Sequence, residues 1–136
     1  MITNPTREEI GELLKKAKTI AVVGLSDNPS RTSYMVSEAM QKAGYRIIPV
    51  NPTVDEVLGE KAAASLKDIH EPVDIVNVFR RSEFLPEIAR EFAEMDCGVF
   101  WAQLGVANEE AYEYLKGKGK TVIMDRCIKV EHALTK

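Results

Sequence analysis

Short, continuously apolar runs alternate along the chain with segments whose apolar residues recur every three or four positions. The apolar runs predict five β-strands, at 20–23, 45–50, 73–79, 98–103 and 121–124. The segments between them predict helices at about 5–17, 32–43, 82–95 and 108–116. Strands that are apolar on both faces are typical of a sheet covered by helices on both sides. The alternation therefore predicts an α/β fold with a five-stranded, mostly parallel, doubly wound sheet.

Several polar residues and glycines stand where these helices begin or end. Asn4-Pro5 is a typical helix start, and Gly44 is a typical helix end. Ser82 and Asn108 are typical caps for the third and fourth helices. These residues support the predicted boundaries.

Three segments depart from the regular alternation. Pro49 lies inside the second predicted strand and cannot donate a ladder hydrogen bond, so we expect a local irregularity there. Residues 53–71 show neither the apolar run of a strand nor the apolar spacing of a helix, and we expect a long connection that contains one short helical turn. The sequence after Cys127 is not assigned to an element.

Composition limits the kind of protein and its partners. A chain of 136 residues, of which 45% are hydrophobic, predicts one domain, 1–136, whose core needs no disulfide or metal. The net charge of −3 argues against a nucleic acid or an anionic membrane as the main partner. Cys97 and Cys127 lack the spacing of a zinc site, so no metal is predicted. The charged run 7–12 excludes a secretory leader, and no apolar run approaches the roughly 20 residues of a membrane span. We therefore expect a soluble, cytoplasmic protein with reduced thiols.

In a doubly wound sheet, ligands bind outside the carboxyl ends of the strands, near the point where the strand order reverses. This rule selects five segments as candidates for a binding site. They are the loop after Gly24, Asn51-Pro52, Phe79-Arg80-Arg81, Trp101-Ala102-Gln103 and Asp125-Arg126-Cys127.

The loop after Gly24 has the chemistry of an anion site without either familiar phosphate motif. Its sequence, "GLSDNPSR", has no further glycine for a GxGxxG pattern and no P-loop lysine. It nevertheless gathers Ser30, Thr32 and Ser33 at a predicted helix N-terminus, where free N–H groups favour an anion, and Arg31 adds a full positive charge. The alternative is that Ser30 or Thr32 only caps the helix. For the loop as a whole we favour anion binding.

The end of the second strand indicates the kind of nucleotide. NAD-binding sheets usually place an acidic residue there to bind the ribose hydroxyls. Here the strand ends in Asn51, and the first acidic residue beyond it is Asp55. The uncharged end at Asn51-Pro52 therefore favours a ligand that carries phosphate on its ribose.

The third and fourth strand ends add charge and polarity. Side chains alternate along a strand, so at most one of Arg80 and Arg81 is expected to point inward. Arg81 could instead pair with Glu83. Trp101 either packs in the core or lines a pocket wall, and the sequence leaves both interpretations open. If Trp101 lines a pocket, Gln103 at the same strand end would supply a polar contact to the ligand.

Five motifs occur in one order along the chain: "VVGLSDNPSRTSY", "IIPVNP", "VFRRSE", "WAQLGV" and "MDRC". Together they resemble those of the small stand-alone coenzyme A-binding proteins of bacteria and archaea. More distantly, they are similar to the N-terminal CoA-binding domain of the succinyl-CoA synthetase alpha subunit. The resemblance covers nearly the whole chain, and it implies a three-layer, Rossmann-like domain that binds coenzyme A (CoA) or an acyl-CoA.

The resemblance also implies where each part of CoA would lie. The phosphates would lie against Gly24, Leu25, Ser26, Arg31, Thr32 and Ser33, and the adenosine near Asn51 and Pro52. Phe79 and Arg80 would line the wall, Trp101, Ala102 and Gln103 would approach the pantetheine arm, and Cys127 would lie beside the CoA thiol.

The resemblance does not extend to the chemistry of the synthetase. Its second domain with the phosphorylated histidine has no counterpart here, and His70 and His132 lie outside every matching motif. Ser26 lacks the GxSxG context of a nucleophile. Asp125, beside Arg126, is expected to be solvated or salt-bridged rather than a general base. We therefore expect a non-enzymatic carrier, sensor or partner module.

Two alternatives remain open at this point. One is a small oxidoreductase or transferase that depends on NAD(P) or another nucleotide cofactor, and the other is an interaction domain whose pocket is vestigial. The sequence also leaves open whether the protein has a protein partner or forms a homodimer. A further hypothesis is that the Cys127 thiolate attacks oxidised CoA disulfide, and that the resulting mixed disulfide makes the protein a reversible redox reporter.

Overall fold

The computed structural model describes residues 1–136. In chain order its elements are α1 (Arg7–Lys16), β1 (Thr19–Val23), α2 (Thr32–Lys42), β2 (Arg46–Val50), β3 (Glu56–Val57), β4 (Glu60–Lys61), β5 (Ile75–Val78), α3 (Leu85–Ala93), β6 (Val99–Ala102), α4 (Glu109–Gly117), β7 (Thr121–Ile123) and α5 (Ile128–Thr135). Two 3₁₀ turns, Leu66–Asp68 and Ser82–Phe84, precede β5 and α3 respectively.

The main sheet has five strands in the order β2-β1-β5-β6-β7, and every pair in it is parallel. The chain winds from β1 out to β2, crosses back over β1 to β5, and then continues in the opposite direction. The strand order therefore reverses between β1 and β5, and the crevice at this point is where ligands bind in such sheets. This topology confirms the predicted doubly wound α/β fold.

Alternate side chains of each strand enter two separate apolar clusters. In β1, Ala21 and Val23 belong to a cluster that includes residues of α3 and α4. Ile20 and Val22 belong to a second cluster, which includes residues of α1, α2 and α5. The sheet is thus the middle of three layers, and burial on both faces explains why its strands are almost continuously apolar.

The first helix begins two residues later than predicted, because Thr6 rather than Asn4-Pro5 starts it. Thr6 and Glu9 form a capping box, in which the Glu9 amide donates to Thr6 Oγ1 (3.1 Å) and the Thr6 amide donates to Glu9 Oε1 (2.8 Å). Asn4 instead binds the end of β7. Its side chain donates to the carbonyl of Met124 and accepts from the Met124 amide, both at 2.9 Å.

Of the two predicted caps, Asn108 is confirmed and Ser82 is not. Asn108 Oδ1 accepts from the amide of Ala111 in the first turn of α4 (2.9 Å). Ser82 lies in a 3₁₀ turn ahead of α3, and its hydroxyl accepts from the Ala107 amide (3.0 Å). A Ser82 hydroxyl that could cap a helix therefore joins two loops at the carboxyl edge of the sheet.

The predicted irregularity at Pro49 is wrong, since β2 pairs with β1 in unbroken register through Val22 and Pro49. β2 is an edge strand, and the backbone of Pro49 faces away from β1: its carbonyl accepts from the Ala63 amide outside the sheet (2.9 Å). The N–H that proline lacks is therefore on the open side of the strand, where no ladder bond is needed.

The connection 53–71 contains the expected single helical turn and also a short antiparallel hairpin, β3-β4, which was not predicted. Arg46 anchors this connection, donating from Nε to Glu71 (2.6 Å) and from Nη1 to Glu60 (3.1 Å). The hydrogen bond from Arg46 lowers the pKa of Glu71. Helix α5 was also not predicted. None of the helices is long and apolar enough to cross a membrane.

Candidate functional site

Gly24 directly follows β1, at the point where the strand order reverses. Its φ is +84°, which is the left-handed region that favours glycine. A Cβ added there would lie 2.7 Å from the carbonyl oxygen of Phe79 and 3.1 Å from Cδ of Arg80. The end of β5 thus approaches β1 too closely for any side chain at Gly24.

The loop after Gly24 is held by its own hydroxyl groups. The Ser26 amide donates to Ser33 Oγ (3.1 Å), and Ser26 Oγ accepts from the Asn28 amide (3.0 Å). Ser33 is buried, whereas Arg31 and Thr32 are exposed. No side chain caps α2, so neither Ser30 nor Thr32 has the capping role considered as the alternative for this loop. The first-turn amides of α2 therefore remain available to an anion.

The first cleft opens beside Gly24 and has a volume of about 570 Å³. Its lining includes Gly24, Asn51, Pro52, Leu66, Arg80 and Ile88. The Asn51 side chain joins its rim to the loop, since Nδ2 donates to the carbonyl of Leu25 (3.0 Å) and Oδ1 accepts from the amide and hydroxyl of Thr53 (2.9 and 2.8 Å). Leu25 itself is fully buried. Asn51 is therefore already engaged with the protein through both ends of its carboxamide.

The second cleft has a volume of about 640 Å³ and lies on the other side of Arg80. Its lining includes Thr32, Phe79, Arg80, Arg81, Gln103 and Leu104. Gln103 is only 6% exposed, and its Oε1 has no hydrogen-bond partner. The two clefts together cross the carboxyl edge of the sheet from the end of β2 to the end of β6.

Arg80 is the residue that the two clefts share. It is exposed, and its guanidinium carbon lies 4.6 Å from the centre of the Phe84 ring, a cation–π contact that restrains it. The Arg81 side chain is 81% exposed and lies 4.0 Å from a carboxylate oxygen of Glu83. Both arginines are exposed and both line the second cleft, whereas only Arg80 also lines the first, so strand alternation buries neither of them.

Trp101 and Ala102 are fully buried, which decides between the two interpretations of the tryptophan in favour of the core. The Trp101 indole N–H donates to the carbonyl of Arg126 (2.9 Å) and so fixes the chain that follows β7. Asp125 fixes the same region from the other side, because its Oδ1 accepts from the Gly105 amide (2.6 Å). The Arg126 guanidinium bonds the Asp125 carbonyl rather than its carboxylate.

The two cysteines lie in different environments. Cys97 is 4% exposed, and burial raises the pKa of its thiol. Cys127 is half-buried, precedes the first residue of α5, and packs against the cluster formed with α1 and α2. It lines neither cleft.

The structure brings half of the predicted site residues together as cleft lining: Gly24, Thr32, Asn51, Pro52, Phe79, Arg80 and Gln103. The others lie behind or beside this surface: Leu25, Ser26, Arg31, Ser33, Trp101, Ala102 and Cys127. Sequence reasoning missed Leu66, Phe84 and Ile88, which also line the first cleft. These three follow no strand of the sheet directly, so the strand-end rule could not select them.

Comparisons with known proteins agree with this architecture. A family profile described as a CoA binding domain matches residues 18–133. The uncharacterized protein YneT of Bacillus subtilis is 68% identical, over 98% of both chains. The solved structure of cell-free ID.343 from Thermus thermophilus has a TM-score of 0.93 and 40% identity, covering 97% of this chain and 100% of that one. The alpha subunit of the ADP-forming acetate–CoA ligase II of Pyrococcus furiosus is 33% identical over 55% of this chain but only 17% of its own.

Proposed function

The chain belongs to the CoA binding domain family, and on this premise we propose that it binds CoA or an acyl-CoA along the two clefts. The observation that carries the proposal is the position of Arg80, which lines both clefts next to Gly24. A ligand with a diphosphate between a nucleoside and a long arm matches that arrangement. The nucleoside would occupy the first cleft, and the arm would extend into the second.

The diphosphate would lie between the Arg80 guanidinium and the first turn of α2. The free amides at a helix N-terminus and a guanidinium are both favourable partners for phosphate oxygens. Gly24 allows the backbone to approach the ligand there, because it has no side chain. At the end of β2, Asn51 stands where an acidic residue would favour NAD, which supports a ligand with a phosphorylated ribose.

The side chains around the clefts support binding rather than catalysis. The ionisable residues that line them are Arg80, Arg81, Glu87 and Glu91. Glu91 is already engaged, since its Oε1 accepts from the Leu66 amide (2.7 Å). No histidine or cysteine lines either cleft to act as a base or nucleophile. We therefore propose that the protein is a carrier, a sensor or the CoA-binding partner of another protein.

Thermal denaturation with added nucleotides tests this proposal. CoA is expected to raise the melting temperature more than NAD or NADP at equal concentration, because a ligand that binds only the folded state stabilises it. At a CoA concentration 100 times Kd the gain is about 2.7 kcal/mol. A larger shift with NADP would favour the oxidoreductase or transferase instead. No shift with any of the three would favour an interaction domain with a vestigial pocket.

We further propose that Cys127, which lies outside both clefts, exchanges with oxidised CoA in preference to Cys97. In this step the Cys127 thiolate attacks one sulfur of CoA disulfide, the Cys127–CoA bond forms, and the second CoA leaves as a thiolate that takes up a proton. The partial exposure of Cys127 and the burial of Cys97 support this choice, as does the higher pKa that burial gives to Cys97.

Intact-mass measurement after incubation with CoA disulfide tests the exchange. The wild-type protein and Cys97→Ser are expected to gain one CoA, and Cys127→Ser is expected to gain none. Reduction should remove the adduct. An adduct that persists in Cys127→Ser, or a wild-type protein that gains no mass, would contradict the exchange without affecting reversible CoA binding.

A further inference from the structure

Two buried side-chain atoms in the whole chain lack a hydrogen-bond partner, and one of them lines a cleft. They are Ser37 Oγ, in the middle of α2, and Gln103 Oε1, at the end of β6. Ser37 lines neither of the two clefts, whereas Gln103 lines the second. An unpaired buried polar group lowers stability, and at a cleft wall a bound ligand can supply the missing partner.

The surroundings of Gln103 hold its backbone firmly and leave its side chain free. The Gln103 amide donates to the Val78 carbonyl (3.1 Å), and the Gln103 carbonyl accepts from Val106 (2.8 Å). Gln103 follows Ala102, which faces α3 and α4, so alternation directs its side chain to the other face of the sheet, where α2 lies. This agrees with Thr32, the first residue of α2, lining the same cleft. Gln103 thus lines the second cleft together with the N-terminal residue of α2.

We propose that Gln103 is a specificity-determining residue whose carboxamide pairs with a secondary amide of the ligand in the second cleft. A carboxamide both donates and accepts hydrogen bonds, and a secondary amide offers the complementary N–H and C=O. The terminal torsion of glutamine is broad, so its carboxamide can tilt to meet such a group. Exchange of its oxygen and nitrogen would leave the same match, because the ligand amide supplies both kinds of partner.

This inference rests on the proposed function and specifies which part of CoA is recognised. The pantetheine arm contains secondary amides, whereas the nucleotide half contains none. Gln103 would therefore select CoA over nucleotides that share its phosphates and adenosine but carry no such arm. Arg80 and the α2 N-terminus would attract any diphosphate, and Gln103 would add the discrimination.

Calorimetric titration with two probes, CoA and its nucleotide half, 3′-phosphorylated ADP, tests this assignment. Gln103→Leu removes the carboxamide at similar volume and is expected to weaken CoA binding about tenfold while leaving the nucleotide half unaffected. Without ligand, the variant should melt at the same or a higher temperature than the wild type, because an unpaired buried group has been removed. Gln103→Met has an unbranched side chain and should give the same pattern. It replaces Gln103→Leu in the test if the branched leucine side chain does not fit at this position.

Ser37→Ala is the matched control, because it removes the other unpaired buried oxygen away from the clefts. It should not reduce the melting temperature and should bind both probes as the wild type does. Unchanged CoA affinity in both Gln103 variants, or an equal loss for the two probes, would overturn the inference while leaving CoA binding in place. A wild-type protein that binds neither probe would instead overturn the proposed function, and the inference with it.

Discussion

Gly24→Ala is expected to destabilise the protein by about 3 kcal/mol and to abolish measurable CoA binding. A left-handed backbone costs an alanine about 1–2 kcal/mol, and here the new Cβ would also lie 2.7 Å from the Phe79 carbonyl oxygen. Relief of that contact requires β1 and β5 to separate at the crevice where we place the diphosphate. Chemical denaturation monitored by circular dichroism, together with calorimetric titration of CoA, would measure both effects.

Gly119→Ala is the control that separates the two causes. Gly119 has a similar φ of +77°, but no atom lies within 4 Å of an added Cβ, and it follows α4 away from the clefts. It should lose only the backbone cost of about 1–2 kcal/mol and bind CoA normally. If the two variants lose equal stability and both retain CoA binding, the close approach of β5 to Gly24 affects neither the stability of the protein nor its CoA affinity.

The sequence predicted the sheet because its strands carry a strong local signal. β1 and β5 are apolar at every position or nearly so, as burial on both faces requires, and the helices that alternate with the strands of the sheet show a clear apolar stripe. Once the sheet is known to be parallel and doubly wound, the strand-end rule selects Gly24, Asn51, Arg80 and Gln103 without any further information. These four residues line the clefts.

The features that the sequence did not predict depend on which segments become neighbours. Pro49 does not interrupt the pairing of β2 with β1, because β2 is at the edge of the sheet. The order of the strands cannot be predicted from the local sequence. Trp101 is in the core because its indole N–H finds a partner in the Arg126 carbonyl, which belongs to a distant segment. The hairpin β3-β4 has two residues in each strand, too few to show an alternating pattern.

In the loop after Gly24, too, the local sequence predicts the general character of the segment but not the partners of its side chains. Its hydroxyl residues predict a polar turn that could bind an anion. The sequence alone does not show which hydroxyl groups would contact a ligand and which would bond the protein. In the structure, Ser33 Oγ is engaged with the Ser26 amide and Ser26 Oγ with the Asn28 amide. Part of the polarity of this loop therefore shapes the turn. The positive charge that lines both clefts comes from Arg80, which follows another strand, β5.

Arg80→Ala is expected to weaken CoA binding by about 10- to 100-fold, because a hydrogen bond to a charged group contributes about 1.5–3 kcal/mol. The loss should be greatest at low salt, since the interaction removed is a screened attraction between charges. Arg80→Lys should recover only part of the affinity, because lysine keeps the charge but not the planar donors or the stacking on Phe84.

Arg81→Ala is the matched control for that loss, since it removes the same charge from the adjacent position. The Arg81 side chain is 81% exposed and its nearest carboxylate is Glu83, so its removal should change CoA affinity by no more than about twofold at physiological salt. Titrations of both alanine variants at low and high salt would distinguish a specific contact from general attraction. If Arg80→Ala and Arg81→Ala reduce CoA affinity by the same factor and with the same salt dependence, Arg80 contributes only to the general positive charge at the carboxyl edge of the sheet. A larger loss in Arg80→Ala would instead support the position proposed for the diphosphate, between Arg80 and the start of α2.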